Sequence, residues 1–316
     1  MAYRIKRKER VGKAIRRILR EQLRRAIECA RDRDGVQEER VHDVRTRLKR
    51  SRAALELIGV QAGRVSGVRK TVKRTARRLR NRGRRLARPR DVVVQAHTFR
   101  ILGTRLSPEL PVGLLERMRD VGEQMRRKLD EKSVEKELRR TARALRKLRR
   151  RLRKLPVKRG RRAIGKGITA TYREARRGLA AVQADPTPER FHDWRKQVKV
   201  LSNELRIVGR AVPELASRYL DKVEKLGEIL GEVHDLDCAA ATAERHPRWF
   251  GSEAECDAVR GLVAEHRVVL EREAFALAAG VFAGRPRDVR ELVETGWETW
   301  RKRAAKAEEV ATEEAA

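Results

Sequence analysis

Residues 138–155 read LRRTARALRKLRRRLRKL, and this stretch decides the fold class. Its apolar residues fall at Leu138, Ala142, Leu145, Leu148, Leu152 and Leu155, and nearly everything else is Arg or Lys. Steps of 4, 3, 3, 4 and 3 trace one face of an α-helix. Segment 68–86 does the same with Val68, Val72, Ala76, Leu79 and Leu86. Strand-like alternation is nearly absent, so the chain reads as all-α. The periodicity predicts helices over 9–31, 37–58, 64–87, 89–104, 108–131, 133–155, 162–183, 188–210, 214–231, 233–245, 252–282 and 286–305, with a frayed tail at 306–316. Helix starts carry suitable chemistry. Ser107-Pro108 and Thr187-Pro188 each place a capping residue before a proline, and Ser252 with Glu255 fits a capping box.

The chain also repeats itself. Residues 11–32 and 164–185 align without gaps and share Gly12/Gly165, Lys13/Lys166, Ile15/Ile168, Arg20/Arg173, Glu21/Glu174, Arg24/Arg177 and Asp32/Asp185. Val-His-Asp-Val-Arg at 41–45 pairs with Phe-His-Asp-Trp-Arg at 191–195, and Lys49 pairs with Lys199. Asp91 pairs with Asp235. Three matches in one order argue for a duplication. The expected architecture is two tandem helical-bundle repeats, 1–158 and 159–305, related by a pseudo-twofold.

Charge points to the class of partner. The 316 residues carry 80 Lys and Arg against 45 Asp and Glu, a net charge of +35. Residues 1–160 hold 53 basic and 18 acidic side chains, while residues 161–316 hold 27 of each. The whole excess therefore sits in the first half. So much like charge repels itself in a compact state, and it implies a polyanionic partner. Cys29, Cys238 and Cys256 are too few and too scattered for a disulfide framework or a zinc knuckle, and they read as free thiols. No apolar leader opens the sequence, and the longest apolar stretch, near Phe275–Ala283, is too short to span a membrane. The expectation is a cytoplasmic protein without a membrane association.

One constellation suits phosphate. His42, Arg45, Lys49 and Arg52 follow at steps of 3, 4 and 3, so they share a helix face. The second copy supplies His192, Arg195 and Lys199, then Ser202 where an Arg is due. Lys13, Arg20 and Arg24 share another face, as do Lys166, Arg173 and Arg177. A guanidinium forks onto two phosphate oxygens, a lysine adds a point charge, and an imidazole donates one hydrogen bond or two. A charge run on a helix is usually only a solvated face, and Arg139–Lys154 reads that way. The His-x-x-Arg-x-x-x-Lys row differs because it recurs. His97, His246 and His266 lack repeated partners, and Trp194, Trp249, Trp297 and Trp300 read as packing anchors.

The pattern resembles the CHAD family of histidine-containing α-helical domains. The resemblance rests on 41–52, on Arg-Pro-Arg-Asp-Val at 88–92, on Tyr-Arg-Glu-Ala-Arg at 172–176, on 191–199, and on Leu-Gly-Glu-Ile-Leu-Gly-Glu-Val-His-Asp at 226–235. It covers roughly residues 5–305. It implies two four-helix-bundle-like halves around a basic central groove, inorganic polyphosphate as the ligand, and association with polyphosphate granules. Carried over by position, the polyphosphate-binding set is Lys13, Arg20, Arg24, His42, Arg45, Lys49, Arg52, Lys166, Arg173, Arg176, His192, Arg195 and Lys199. The second copy departs from the family at Ser202 and Asn203, so the first row is expected to contribute more.

Two other functions compete with this reading. A nucleic-acid binder is the alternative reading, because attraction to phosphate is blind to sequence. Aromatic residues are only 4% of the chain and none alternates with the basic rows, so stacking platforms for single strands are missing. No recognition-helix, zinc-finger or RNA-recognition signature appears. An enzyme acting on phosphoanhydrides would want clustered carboxylates for a metal or a G-x-x-x-x-G-K-[ST] loop, and the sequence shows neither. The expectation is a binding protein without catalysis, metal or cofactor. Polyphosphate is its principal partner, with at most weaker, non-specific nucleic-acid binding.

Overall fold

The computed structural model describes residues 3–6, 9–62, 68–87, 94, 96–99, 112–127, 130–155, 157 and 160–313. Among these residues every regular element is helical: α1 (Val11–Cys29), α2 (Gln37–Ala62), α3 (Val68–Arg85), α4 (Val112–Arg127), α5 (Glu131–Arg151), α6 (Gly160–Ala184), α7 (Pro188–Val208), α8 (Pro213–Arg245), α9 (Glu253–Phe282) and α10 (Pro286–Glu313), plus two short 3₁₀ turns at Leu152–Lys154 and Pro247–Trp249. Local chemistry explains several boundaries. Thr187 accepts a hydrogen bond from the Arg190 amide while Pro188 opens α7, and Ser252 and Glu255 form the expected reciprocal capping box of α9. Asp130 caps α5 by accepting from the Ser133 amide at 3.0 Å. The Ser107-Pro108 start, the helix expected at 89–104 and Asp91 fall wholly or largely outside the described residues.

Two differences from the sequence reading concern α8 and α10. The helices expected at 214–231 and 233–245 are one continuous helix, and α10 runs to Glu313, past the expected end at 305. Gly231 lies where the α8 boundary was expected, but it keeps helical geometry. Its missing side chain makes room for Arg195: a Cβ there would stand 3.6 Å from the guanidinium.

α1, α2, α3 and α5 close a ring in which each packs on its neighbours. Leu138, Ala142, Leu145, Leu148, Leu152 and Leu155, the apolar set of 138–155, are all buried in its core. Each such leucine contributes roughly 1.5–3 kcal/mol by leaving water. In the second half α6 packs on α7, α7 on α8, and α8 on α9, while α10 lies against α6 and α8. Trp194 is fully buried and stacks on Phe275 at 6.2 Å between ring centroids, a packing anchor as expected. Trp297 is buried as well.

The halves meet where α2 packs against both α6 and α7. The approach of α2 to α6 is so close that a Cβ at Gly167 would overlap the Leu57 carbonyl. Eleven residues further along α6, a Cβ at Gly178 would come within 2.8 Å of the Trp194 ring. A second link crosses the boundary expected at 158. Arg117 of α4 donates to the Phe250 carbonyl at 3.0 Å and pairs with Glu255, and Phe99 packs on Phe250 with centroids 5.4 Å apart. Gly251, at φ 104°, makes the turn that this contact covers. One carboxyl is sealed inside the junction. Glu204 of α7 is fully buried, and neither of its oxygens makes a hydrogen bond of good geometry. Burial pushes it well above the usual carboxylate range; the Thr171 hydroxyl of α6 opposes this and Glu56 of α2 adds to it. Burial thus favours the neutral acid over the carboxylate at this position.

Gly167→Ala tests the junction. The added methyl has no space against backbone, so the variant should lose roughly 1–3 kcal/mol, read as a lower urea midpoint. Gly261→Ala, where a Cβ meets nothing within 4 Å, should lose nothing.

Candidate functional site

The second copy of the basic row lies on α7 against α8. His192, Arg195 and Lys199 share the α7 face, and the residues opposite them on α8 are Gly227, Gly231 and His234, at steps of 4 and 3. The glycines allow long cationic side chains to lie flat between the helices. A Cβ at Gly227 would stand 3.3 Å from the Lys199 ammonium nitrogen. One step further along, the His192 and His234 rings lie 4.3 Å apart, tilted by 35°. Lys49 of α2 comes close enough to act on both imidazoles, so the α2–α7 contact adds a cation from the first row to the second.

The electrostatics of this cluster are those of crowded positive charge. Burial, then Arg195, His192, Lys196 and Lys49, push His234 down to about 4. Burial, then Lys196, Arg195 and Lys49, lower His192, against the opposing pull of Asp193. Burial and Arg195 lower Lys199, with Glu228 and Glu224 pulling the other way. Both imidazoles are therefore held toward the uncharged form beside Arg195, Lys199 and Lys49. His192 Nδ1 is buried and makes no hydrogen bond. Nearby carboxylates are partly committed: Glu224 holds Arg206 at 2.5 Å and Asp193 holds Lys196 at 2.7 Å. Where an Arg was due, Ser202 is buried, and Asn203 donates to the Lys199 carbonyl at 2.7 Å, so no cation stands at that step.

The other sequence candidates are placed differently. Along α2, Arg45 donates to the Gly83 carbonyl of α3 at 2.7 Å, and Arg52 pairs with Glu56 at 3.4 Å. Arg45 thus reaches to α3, and Arg52 is held within α2. His42 is exposed, with Nε2 3.5 Å from the Thr46 hydroxyl. Lys13 and Arg20 of α1 line a surface hollow with Arg16, Arg17, Arg149 and Arg153, balanced by Glu9 and Glu21. Arg24 is held by Glu21 at 2.7 Å and Glu28 at 2.5 Å, and borders a second hollow with Arg146 and Arg149. On α6, Arg176 donates to the Gly284 carbonyl at 3.5 Å, Arg173 is exposed and Lys166 half-buried. The structure thus gathers Lys49, His192, Arg195 and Lys199, and leaves the α1 and α6 rows on other faces.

Sequence reasoning passed over His234, although it lies in the quoted 226–235 motif. The signal was Gly227-x-x-x-Gly231-x-x-His234, a face of two small residues and an imidazole at helical spacing. Lys196 was missed as well; it is exposed and belongs to the same neighbourhood.

The depressed imidazole has a measurable consequence. Between about 6.5 and about 4 the unfolded chain takes up a proton that folded His234 refuses. Stability contributed at neutral pH is therefore lost as pH falls through that window. Urea midpoints at pH 7 and pH 5 should differ less for His234→Gln than for the parent chain. An equal difference would show that this ring is not held neutral.

Comparison with known proteins agrees with this geometry. The model of the CHAD domain matches residues 17–244. The chain is similar to the crystal structure of the CHAD domain from the plant Ricinus communis, with a TM-score of 0.61 and 19% identity over 90% of this chain and 96% of that one. Comparison with the curated proteins finds no match. With all of its described elements helical and most of its length matched, from within α1 to the end of α8, the chain belongs to the CHAD family.

Proposed function

We propose that this protein binds inorganic polyphosphate, without turning it over, along a basic groove through Lys49, His192, Arg195 and Lys199. One observation carries the reading: cations from two halves of the chain converge on a pair of uncharged, closely spaced imidazoles. A chain of phosphates brings the negative charge that relieves this crowding. Arg195 offers a forked donor, Lys49 and Lys199 add point charges, and the imidazoles donate through N–H. An anion beside them also makes protonation easier, so binding and proton uptake reinforce each other.

The pairing of Lys49 with Lys199 in the sequence supports an origin in duplication, with α1–α2 and α6–α7 as related hairpins about a pseudo-twofold. Among the described residues no three His, Cys, Asp or Glu side chains gather as a metal site would need, and the reading as a binder rather than a hydrolase rests on this set of side chains. A cytoplasmic place at polyphosphate granules follows from the same reading.

Two outcomes test it. Lys49→Ala with Lys199→Ala should weaken binding of long polyphosphate at least tenfold, since each charge-assisted contact contributes roughly 1.5–3 kcal/mol. Lys13→Ala with Arg173→Ala removes the same charge from other faces and should cost less than threefold. Calorimetry at fixed salt reads both, with circular dichroism to confirm helicity, and equal losses would place the ligand elsewhere. Incubation of polyphosphate with the protein and Mg²⁺ or Mn²⁺ should release no phosphate above background.

A further inference from the structure

The excess charge of the first half is not spent at the α2–α7–α8 cluster. About half of it, +17 of the +35, lies on α3 and α5. The sequence holds no Asp or Glu between Glu56 and Asp91, and none between Glu137 and Glu174. These two intervals contain all of α3 and most of α5, which pack side by side. At one end of their seam Glu137 of α5 pairs with Arg82 at 3.1 Å and lies 4.0 Å from Arg85. Beyond that pair the seam carries only cations. Arg74 and Arg78 continue the Arg82–Arg85 face of α3 at steps of 4, and Arg140, Lys147 and Arg151 stand at helical spacing from Glu137 along α5. All five are exposed. Loss of water and repulsion from Arg74, Arg151 and Arg77 lower the Arg78 guanidinium, so Arg151 acts on Arg78 across the seam.

Like charges at helical spacing destabilise a helix, and a seam of them opposes the packing it runs along. The arrangement is not explained as a solvated face, because a solvated face gains from interspersed acids.

We infer that the α3–α5 seam is a second polyanion site, separate from the α7–α8 cluster, which binds the phosphate backbone of double-stranded nucleic acid without regard to sequence. The breadth of the charge selects a duplex. On α3 the exposed cations run from Arg69 and Lys73 round to Arg74 and Arg78, about half the circumference of the helix at 100° per residue. One flexible phosphate chain needs a single row; two strands flanking a groove need a wide field. Single strands are disfavoured because neither helix contains an aromatic residue. A membrane surface is disfavoured because, among the described residues, the exposed large hydrophobic residues are Val36, Val268 and Val269, none of them on these helices.

The test uses the full chain and a labelled 25-base-pair duplex of random sequence, titrated over a range of salt. The five-fold variant Arg74→Gln, Arg78→Gln, Arg140→Gln, Lys147→Gln, Arg151→Gln should bind the duplex at least tenfold more weakly. Its log–log salt slope should fall by about 4, close to one for each lost phosphate contact. Its affinity for long polyphosphate should change less than threefold. Lys49→Ala with Lys199→Ala should leave duplex binding within threefold. Arg74→Gln with Arg78→Gln alone, a milder change on one helix, should lose about 2 from the slope, so the proposal stays testable if the larger variant folds poorly. Unchanged duplex affinity and slope in the five-fold variant would overturn the site. Loss of polyphosphate affinity with no duplex binding in the parent would overturn the choice of ligand. Stronger binding to anionic vesicles than to the duplex, abolished by the same five changes, would do the same.

Discussion

The closeness of α2 to α6 and α7 is the constraint on which the site depends. α2 carries Lys49, and the other three cluster residues lie on α7. Nothing in either half alone brings them together. The approach is set by Gly167, whose missing Cβ lets α6 ride on the Leu57 carbonyl, and by Gly178, which seats the Trp194 ring. Trp194 in turn orients the α7 stretch between His192 and Lys199. An apolar contact on one side of α7 thus fixes cations on the other. This division of labour suits a strongly charged protein, because packing can hold like charges together when they have no favourable interaction of their own.

That division also clarifies the buried acid. Glu204 lies on α7 within the same junction, near Glu56 and Thr171. As a carboxylate it would be a buried charge lacking a good partner, which costs several kcal/mol. As the neutral acid it costs less and adds no field to the cluster. Neutral imidazoles follow the same logic on the exposed side. His192 and His234 give up charge because Arg195, Lys199 and Lys49 keep theirs. The protein holds the strongly basic groups ionised and lets the weaker ones yield, so the free state avoids part of the repulsion that a bound anion would otherwise have to relieve.

What could be read in advance was local. The 138–155 periodicity, the Thr187 and Ser252 caps and the His192–Arg195–Lys199 face each depend on residues within a few turns, and each appears as expected. What could not be read was long-range. Lys49 meets His234 across 185 positions of sequence, a proximity no spacing rule contains. Arg45 looks the same as Lys49 on a helical wheel, yet it leans to α3 because the Gly83 carbonyl is there to accept its hydrogen bond. Gly231 stands where the expected boundary between 214–231 and 233–245 falls, yet the helix continues through it and the missing side chain accommodates Arg195. The α4 link to Phe250 and Glu255 likewise depends on where two distant turns come to rest.

The count of charges and the packing point to different rows. All of the net +35 belongs to residues 1–160, which suggested that the first basic row dominates binding. Yet the cluster draws one residue of its four from that half. A net charge sums over a surface, while a phosphate chain meets only groups within about a Debye length, roughly 8–10 Å in physiological salt. Within that distance, what matters is which cations share a face and which are already held by carboxylates or carbonyls. Arg24, Arg45 and Arg52 are engaged in this way; Arg195 lies against Gly231, and Lys199 lies against Gly227 with Glu228 and Glu224 near enough to act on it. The surplus on α3 and α5 raises the general attraction for polyanions and speeds their arrival. On the proposed reading a chain of phosphates would settle at α7, in the half whose own charges cancel.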